Sequence, residues 1–261
     1  MPLCLCAFVP YKYGRSLITV GEAVKIEQLG FSYPDGTAAL DNVTIAINQS
    51  EKVGIVGSNG AGKSTLVNHL NGYFLTQKGE IHINGILLSK NTQEEIRRQV
   101  GVVFQNPDDQ LFMIRLYDDI EFGPKNLGMS PGEIGKAAEE VLHELNLWEL
   151  RNKPSMHMSQ GQKRFAAFAT VLVMKPSIIV VDEPTSDLDP RNRRKLIRLM
   201  NNLKSTCITV SHDLDFIWDT CERVLVMSAG KVVADGKTKE ILSDKSLLEG
   251  NCLELPIRLQ I

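Results

Sequence analysis

The sequence predicts an α/β fold with a parallel core sheet, a flanking antiparallel β-subdomain and a helical subdomain. Three observations support this prediction. Short apolar runs at 52–56, 100–104, 177–181 and 207–210 are typical of strands buried on both faces. Helical patterns separate several of these runs, and strands that alternate with helices indicate a parallel sheet with right-handed crossovers. A glycine-rich loop at 57–65 joins the first run to a helix.

The predicted domain organisation is one large α/β domain with additions at both ends. A chain of 261 residues is long enough for such a domain. We expect the domain at 22–245, with the helical subdomain at about 106–172 and a C-terminal tail at 246–261. Residues 1–21 are expected to form a loosely ordered extension. Their apolar stretch is shorter than the ~20 residues that cross a bilayer and lacks a basic segment before it, so a membrane anchor is the weaker alternative.

Composition restricts the classes of partner. The chain is 43% hydrophobic and 23% charged, which is ordinary for a soluble globular protein. Its net charge of −2 gives no electrostatic argument for nucleic acid as a partner. The five cysteines are scattered without zinc-finger spacing, which favours free thiols in a reducing cytoplasm. No apolar run approaches ~20 residues, so a membrane role would have to come through a partner protein.

An antiparallel sheet is predicted beside the parallel core. Residues 24–33 alternate apolar and polar side chains like a half-buried strand, and a Pro-Asp-Gly turn follows them. Tyr33 ends this strand, where its ring could either stack on a nucleotide base or pack on the sheet. The other predicted strands outside the parallel core are 40–47, 79–85 paired with 86–88, and 223–227 paired with 231–234.

Three helices are predicted from capping signals and apolar spacing. Ser130 followed three residues later by Glu133 is typical of a capping box, and an apolar stripe behind it predicts core packing at Ile134, Ala138, Val141, Leu142 and Leu145. A second helix covers 159–174. Asp189 caps a third helix that runs to about residue 203. Its basic residues are interpreted as a solvated face rather than a nucleic-acid patch: Arg191, Arg193, Arg194, Lys195 and Arg198.

The loop at 57–65 fits the phosphate-binding pattern G-x-x-x-x-G-K-[ST] in the strand-to-helix context that this pattern requires. Its glycines let successive N–H groups face inward, and the following helix adds its positive dipole end. Lys63 can reach the β- and γ-phosphates, and the Ser64 hydroxyl can ligate Mg²⁺. We therefore predict a nucleoside triphosphate bound with Mg²⁺ by Ser58, Asn59, Gly60, Ala61, Gly62, Lys63, Ser64 and Thr65.

Hydrolysis requires a held metal ion, a polarised water and compensation of charge on the γ-phosphoryl group. Asp182 ends an apolar strand and is placed to hold the metal, directly or through water. Glu183 beside it is the candidate to polarise the attacking water. His212 follows a neighbouring predicted strand and could reach the γ-phosphate, although a lone histidine is more often structural.

Taken together, these motifs resemble the ATP-binding-cassette (ABC) ATPases from about residue 24 to 242. The shared motifs, in order, are the 57–65 loop, Gln105, Met158-Ser159-Gln160-Gly161-Gln162, residues 179–185, residues 186–189 and Ser211-His212. The resemblance implies ATP as the nucleotide and the roles given above to Asp182, Glu183 and His212. It also implies that Tyr33 stacks on the base, and that Gln105 senses Mg²⁺ and couples to a transport partner.

The same resemblance implies a head-to-tail dimer. The 158–162 loop of one subunit would close over ATP held by the other, so that Ser159 and the Gly161 N–H touch the γ-phosphate in trans. Gln162 and Asp189 belong to the motifs that complete this composite site. Gln160 departs from the family pattern Leu-Ser-Gly-Gly-Gln, in which the third residue is glycine, and this departure bears on the rate of closure.

A finer resemblance, to the ATPase subunits of energy-coupling-factor importers, lies in residues 103–112, 119–124 and 126–128. It implies an apolar groove that receives a short helix of a transmembrane coupling protein: Gln110, Leu111, Phe112, Met113 and Ile114. It also implies a substrate-binding membrane protein and a position at the cytoplasmic face of the membrane. Cobalt or nickel is the preferred substrate, with a homodimer of this chain, and a vitamin is the alternative.

Several other classes lack support in the sequence. A chromosome-maintenance ATPase would carry a long heptad insertion before the 158–162 motif, and a translation ATPase would carry two cassettes. A P-loop kinase or GTPase would lack the 159–162 loop together with Asp189 and His212. An ABC exporter or a non-transport regulatory ATPase remains open, and binding to a membrane-embedded scaffold would discriminate between these alternatives.

Overall fold

The computed structural model describes residues 21–260. The predicted extension at 1–21 therefore lies outside the described residues except for Gly21, as do Cys4 and Cys6. The strands are β1 Glu22–Ser32, β2 Ala38–Asn48, β3 Lys52–Gly57, β4 Lys78–Ile83, β5 Ile86–Leu87, β6 Val100–Val103, β7 Ile178–Asp182, β8 Thr206–Val210, β9 Arg223–Ser228 and β10 Lys231–Lys237. The α-helices are α1 Lys63–Leu70, α2 Gln93–Gln99, α3 Leu116–Asn126, α4 Pro131–Glu144, α5 Gln160–Leu172, α6 Pro190–Asn202, α7 Leu214–Thr220, α8 Thr238–Ser243 and α9 Lys245–Gly250.

The core is a six-stranded sheet in the order β10-β9-β3-β8-β7-β6. All neighbours pair in parallel except β9 with β10, which are antiparallel. The predicted parallel core is confirmed, and the predicted pair at its end is part of the same sheet. Because parallel strands end at the same edge, the segments after β3, β6, β7 and β8 meet there, and ligands of open α/β sheets bind at such an edge.

The predicted antiparallel sheet is also confirmed, as four strands in the order β2-β1-β4-β5. Its inward side chains join α1 and the core sheet in one hydrophobic cluster, which includes Ile26, Ile45, Ile81, Leu66 and Ile55. Arg223 on β9 strengthens the junction, since its guanidinium donates to the carbonyl oxygen of Ala46 on β2 at 2.9 Å. The loop after β3 is thereby held between the two sheets.

Helices α3, α4 and α5 surround a second cluster on the other side of the core sheet. Ser130 and Glu133 form the predicted capping box of α4. The predicted stripe is buried at Ile134, Ala138, Val141 and Leu142, and Leu145 is half-buried against the same cluster. Helix α5 is covered on most of its circumference, with Phe168 fully buried.

The C-terminal residues form ordered structure on the face of α7. The expected boundary at residue 245 falls at the start of α9, whose Leu248 is fully buried beside α7. Arg258 donates to Asp215 at 2.6 Å and lies 2.9 Å from Asp219, both on α7. Within 21–260, no helix combines the length and the apolar character needed to cross a membrane.

Candidate functional site

The 57–65 loop is folded as a strand-to-helix cradle whose glycines are required by close contacts. A Cβ atom at Gly57 would lie 2.3 Å from the Met227 carbonyl oxygen on β9. One at Gly62, the N-cap residue of α1, would lie 2.5 Å from the Ala39 carbonyl oxygen, and Gly62 also has a left-handed φ of 99°. The loop thus passes between β9 and β2, and a side chain at either glycine would force these strands apart. The N–H groups of the loop lie just before the N-terminus of α1, which is the positive end of the helix dipole.

Lys63 begins α1 and is only 8% exposed. Its ammonium donates to the carbonyl oxygens of Gly57 at 2.7 Å and Ser58 at 3.0 Å, so it lies over the cradle. Burial lowers the pKa of Lys63, and the nearby carboxylates of Glu183 and Asp182 raise it in opposition. A buried cation enclosed by a glycine loop fits a phosphate ligand.

Asp182 and Glu183 lie where β7 ends. Burial raises the pKa of Asp182, and the neighbouring Glu183 carboxylate raises it further. The backbone of Glu183 is left-handed, with φ of 41°, a conformation in which non-glycine residues are uncommon. Its N–H donates to the Val210 carbonyl oxygen at 2.8 Å, which fixes the two acidic residues against the end of β8.

The Glu183 carboxylate is held by one oxygen and leaves the other without a hydrogen bond. Oε2 accepts from the His212 N–H at 3.1 Å and the Ser211 hydroxyl at 3.2 Å. Oε1 is buried, accepts no hydrogen bond from residues 21–260, and lies 3.5 Å from His212 Nε2. An oriented carboxylate with one free lone-pair face fits the task of accepting a proton from water.

His212 connects this carboxylate to the cradle, because its Nε2 also lies 3.4 Å from the Lys63 ammonium. The structure therefore brings together Lys63, Glu183 and His212, three of the residues singled out from the sequence. Asp182 belongs to the same group, since its carboxylate interacts electrostatically with Lys63 and His212.

Tyr33 lies next to the cradle helix rather than free at the strand end. Its hydroxyl is 2.8 Å from the Thr65 hydroxyl, and its ring packs edge-on against Phe31 and Phe74. The ring is half-buried, which agrees with the alternative that it packs on the sheet. It packs on its own sheet, and it is held beside the first turn of α1, where its stacking on a base stays a prediction.

The remaining predicted site residues form a separate group. Ser159 caps α5 in a capping box with Gln162, which turns the Gln162 side chain back onto its own helix. Asp189 caps α6 without a capping box, and its carboxylate accepts from the backbone N–H groups of Arg191 and Asn192. Gly161 lies between them, because a Cβ atom there would come within 2.3 Å of Asn192 Nδ2 on α6. The hydrogen bonds that join these residues run within this group and not to the 57–65 loop of the same chain.

Gln105 follows β6 at the same sheet edge and is exposed. The described residues provide its side chain with no hydrogen-bond partner. Its neighbours are fixed instead: the Phe104 N–H donates to Gln110 Oε1 at 3.0 Å, and the Phe104 carbonyl oxygen accepts from Arg164 at 2.9 Å. Gln105 is thus an exposed side chain on a rigid segment.

Two arginines are important for this arrangement but were not predicted from the sequence to have a role in the site. Arg164 on α5 is 2% exposed and donates to the Phe104 and Ser186 carbonyl oxygens. Burial lowers the pKa of its guanidinium. Arg193 on α6, predicted to lie on a solvated face, is instead half-buried and paired with Asp213. Neither has a local sequence signal, because each contact spans at least 20 residues.

The site combines a glycine cradle and a buried lysine after β3 with an Asp-Glu pair at the end of β7, two strands away in the core sheet. This combination defines a P-loop ATPase. Comparison with known proteins supports this class: the model of the ABC transporter family matches residues 40–186. The chain belongs to the ABC transporter family, as an ATPase. It uses ATP with Mg²⁺. That Ser64, Gln105 and Asp182 provide oxygen ligands to the metal stays a prediction.

Individual relatives span nearly the whole chain. A putative ABC transporter ATP-binding protein of Geobacter sulfurreducens is 46% identical over 91% of this chain and 95% of its own length. An energy-coupling factor transporter ATP-binding protein, EcfA, of Carboxydothermus hydrogenoformans is 45% identical over 92% of this chain and 89% of its own. The solved structure of CbiO1 of Clostridium perfringens, described as part of the ABC transporter complex cbiONQ, superposes with a TM-score of 0.79. It is 35% identical and covers 88% of this chain and 94% of its own.

Proposed function

We propose that this chain is the ATP-hydrolysing subunit of an energy-coupling-factor importer, bound at the cytoplasmic face of the membrane. Two transmembrane partners would complete the importer, a coupling protein and a small substrate-binding protein. The observation that supports this best is an exposed apolar surface on a segment fixed to the ATPase. The 45% identity to an energy-coupling factor ATP-binding protein agrees with it.

The docking surface consists of Phe112, Met113, Ile114 and Phe122. Phe112 is 61% exposed and Ile114 is 82% exposed, and the Phe112 ring lies edge-on to Phe122 with centroids 5.0 Å apart. Large apolar side chains exposed together are typical of a protein interface. The structure corrects the expectation that Gln110 and Leu111 belong to this surface, because Leu111 is buried and Gln110 points inward.

Gln110 instead fastens the docking surface to α5. Its amide nitrogen donates to the Ala167 carbonyl oxygen at 3.0 Å and lies 2.8 Å from the Thr170 hydroxyl. Lys163 on the same helix pairs with Asp108 at 2.6 Å. Asp119 accepts at 3.0 Å from the N–H groups of Phe112 and Met113. A helix pressed into this surface would therefore move α5, whose first residues carry the Ser159–Gly161 motif.

We propose the following chemistry of hydrolysis for the residues at this site. Mg²⁺ supplies charge compensation for the phosphate oxygens, and Lys63 adds a second positive charge at the cradle. The free Oε1 of Glu183 orients a water and accepts its proton, while His212 donates toward the γ-phosphoryl group. We further propose that a second copy of this chain completes each site with Ser159 and Gly161. Both residues lie at the N-terminus of α5, whose dipole favours an anion.

The test is recovery of the tagged protein from its native membranes, followed by mass spectrometry. The expected result is a multi-span coupling protein together with a small substrate-binding membrane protein. A chain in which Phe112 and Ile114 are both replaced by serine should lose both partners and still hydrolyse ATP. A matched control replaces Met156, which is 74% exposed but remote in sequence from the docking surface. Recovery of soluble partners alone would contradict the importer assignment and leave the ATPase chemistry intact.

The transported substrate is proposed to be a transition-metal ion, cobalt or nickel, with a vitamin as the alternative. In this proposal the substrate-binding membrane protein, not this chain, contacts the cargo, so the membrane protein recovered with the chain decides between them. Metal retained by the purified complex, measured by mass spectrometry after extensive dialysis, would favour the first. A bound organic cofactor precursor would favour the second.

A further inference from the structure

Arg193 and Asp213 form a two-pronged ion pair between α6 and the turn that carries His212. Arg193 Nε donates to one carboxylate oxygen and its terminal nitrogen donates to the other, each at 3.0 Å. Both side chains are only about a quarter exposed, at 27% and 28%. A bidentate pair with this degree of burial fixes the mutual orientation of its two elements more firmly than a single surface contact.

Asp213 is connected to Glu183 through the hydroxyl of Ser211. The Asp213 N–H donates to the Ser211 hydroxyl at 3.1 Å, and that hydroxyl donates to Glu183 Oε2 at 3.2 Å. The His212 N–H, between them in sequence, donates to the same Oε2 at 3.1 Å. Within residues 21–260, the groups that donate to Glu183 Oε2 therefore all lie on the turn that Arg193 contacts through Asp213.

The Arg193 end leads to residues predicted to face a second subunit. Arg193 lies in the first turn of α6, where its N–H donates to the Asp189 carbonyl oxygen at 2.9 Å. Asn192 beside it donates to the Asp189 carboxylate at 2.6 Å and lies against Gly161. A shift of this turn would displace Asp213 and the α5–α6 contact together.

We infer that Arg193 is a positioning residue for hydrolysis, which acts through Asp213 and Ser211 to set the Glu183 carboxylate. This inference rests on the proposed role of Glu183. It assigns no substrate contact to Arg193, because Arg193 acts on Glu183 only through Asp213 and Ser211. Misplacing a proton acceptor by a fraction of its hydrogen-bond distance lowers the chemical rate and leaves nucleotide binding at the cradle intact.

The test compares four variants by steady-state ATPase kinetics, ATP binding and urea unfolding. Arg193→Ala is expected to lower kcat by about 10- to 100-fold, while KM and ATP affinity stay within about twofold. Arg193→Lys, which keeps the charge but cannot bridge both oxygens, should fall between. Asp213→Asn retains an oxygen to cap α7 and should resemble Arg193→Ala. The combined Arg193→Ala, Asp213→Asn chain should lose no more than the worse single variant, since both act on one contact.

Arg194→Ala is the matched control, because Arg194 is exposed on the same helix turn and should leave kcat unchanged. Three results would overturn the inference: kcat within twofold of wild type in Arg193→Ala, losses that multiply in the combined chain, or a fall of kcat that merely tracks a lower unfolding midpoint. Glu183→Gln separates this inference from the proposal on which it rests. If Glu183→Gln hydrolyses normally, the role of Glu183 fails; if only Arg193→Ala does, the positioning role alone fails.

Discussion

Replacing Gly161 by alanine tests why glycine occupies this position. Two reasons are available: the proposed approach of Gly161 to ATP on a second subunit, and its contact with Asn192 in its own chain. A Cβ atom at 161 would lie 2.3 Å from Asn192 Nδ2 and 2.9 Å from its Cγ, both far inside normal contact. The second reason predicts an effect on the isolated subunit without any nucleotide.

The magnitude follows from what Asn192 must give up. Its amide is held by the Asp189 carboxylate at 2.6 Å, so it must break this charge-assisted hydrogen bond to make room for the methyl group. This hydrogen bond is exposed, so water can replace it at little cost, whereas overpacking a tight contact costs about 1–3 kcal/mol. We expect Gly161→Ala to lower the free energy of unfolding by about 2 kcal/mol.

The assay is urea unfolding at equilibrium in two backgrounds, the wild-type chain and Asn192→Ala. Asn192→Ala removes both the hydrogen bond and the obstructing amide, so the alanine at 161 should then cost less than about 0.5 kcal/mol. Equal destabilisation in the two backgrounds would refute the packing argument. If stability is regained in the double variant while ATPase activity stays lost, both reasons for glycine hold.

Four further predictions concern single side chains. Glu183→Gln should keep ATP binding and reduce phosphate release by about 10²- to 10⁴-fold; near-normal turnover would show that another group polarises the water. Gln160→Gly should be neutral or activating in the same assay, because Gln160 is exposed at the first position of α5, whereas a severe loss would reveal an adapted role. Asp119→Ala removes the acceptor of the Phe112 and Met113 N–H groups, which belong to the docking surface. It should therefore destabilise the fold by about 2 kcal/mol and weaken recovery of the coupling protein. Unchanged recovery would show that Asp119 does not support docking. Burial lowers the pKa of His69, so the unfolded chain binds a proton more readily than the folded chain. The free energy of unfolding should therefore fall as the pH drops below about 6.5, by at most about 1.4 kcal/mol per pH unit. His69→Leu should reduce this slope, and a slope equal to that of the wild-type chain would contradict the argument.

The core sheet and the cradle could be predicted because their signals are local. Strands covered on both faces produce apolar runs, and the phosphate loop needs glycine and lysine at fixed spacing. Helix α2 escaped prediction for the opposite reason: Gln93–Gln99 buries only Ile96, so it has no apolar periodicity. Helices α8 and α9 have six residues each, too few to show a helical period, and are stabilised by packing near α7.

In the candidate site, too, the residues with local sequence signals could be predicted and those with distant partners could not. The structure brings Lys63, Glu183 and His212 together because each follows a core strand, and parallel strands end at the same edge. Arg193 was interpreted as surface charge because its partner lies 20 residues away, across a turn whose direction the sequence does not encode locally. Gln110 was assigned to the docking surface by sequence adjacency, whereas its side chain turns to α5 to satisfy buried polar groups.

The central claim is that ATP hydrolysis at this site drives uptake through membrane partners. Its most direct test is uptake by vesicles that contain the purified complex, with the substrate that the substrate-binding membrane protein retains supplied on the side opposite this subunit. With ATP on the side of this subunit, wild-type complex should accumulate the substrate, and Glu183→Gln complex should bind ATP without accumulating it. ATP hydrolysis without uptake by the wild-type complex, or uptake that persists in Glu183→Gln, would contradict the claim.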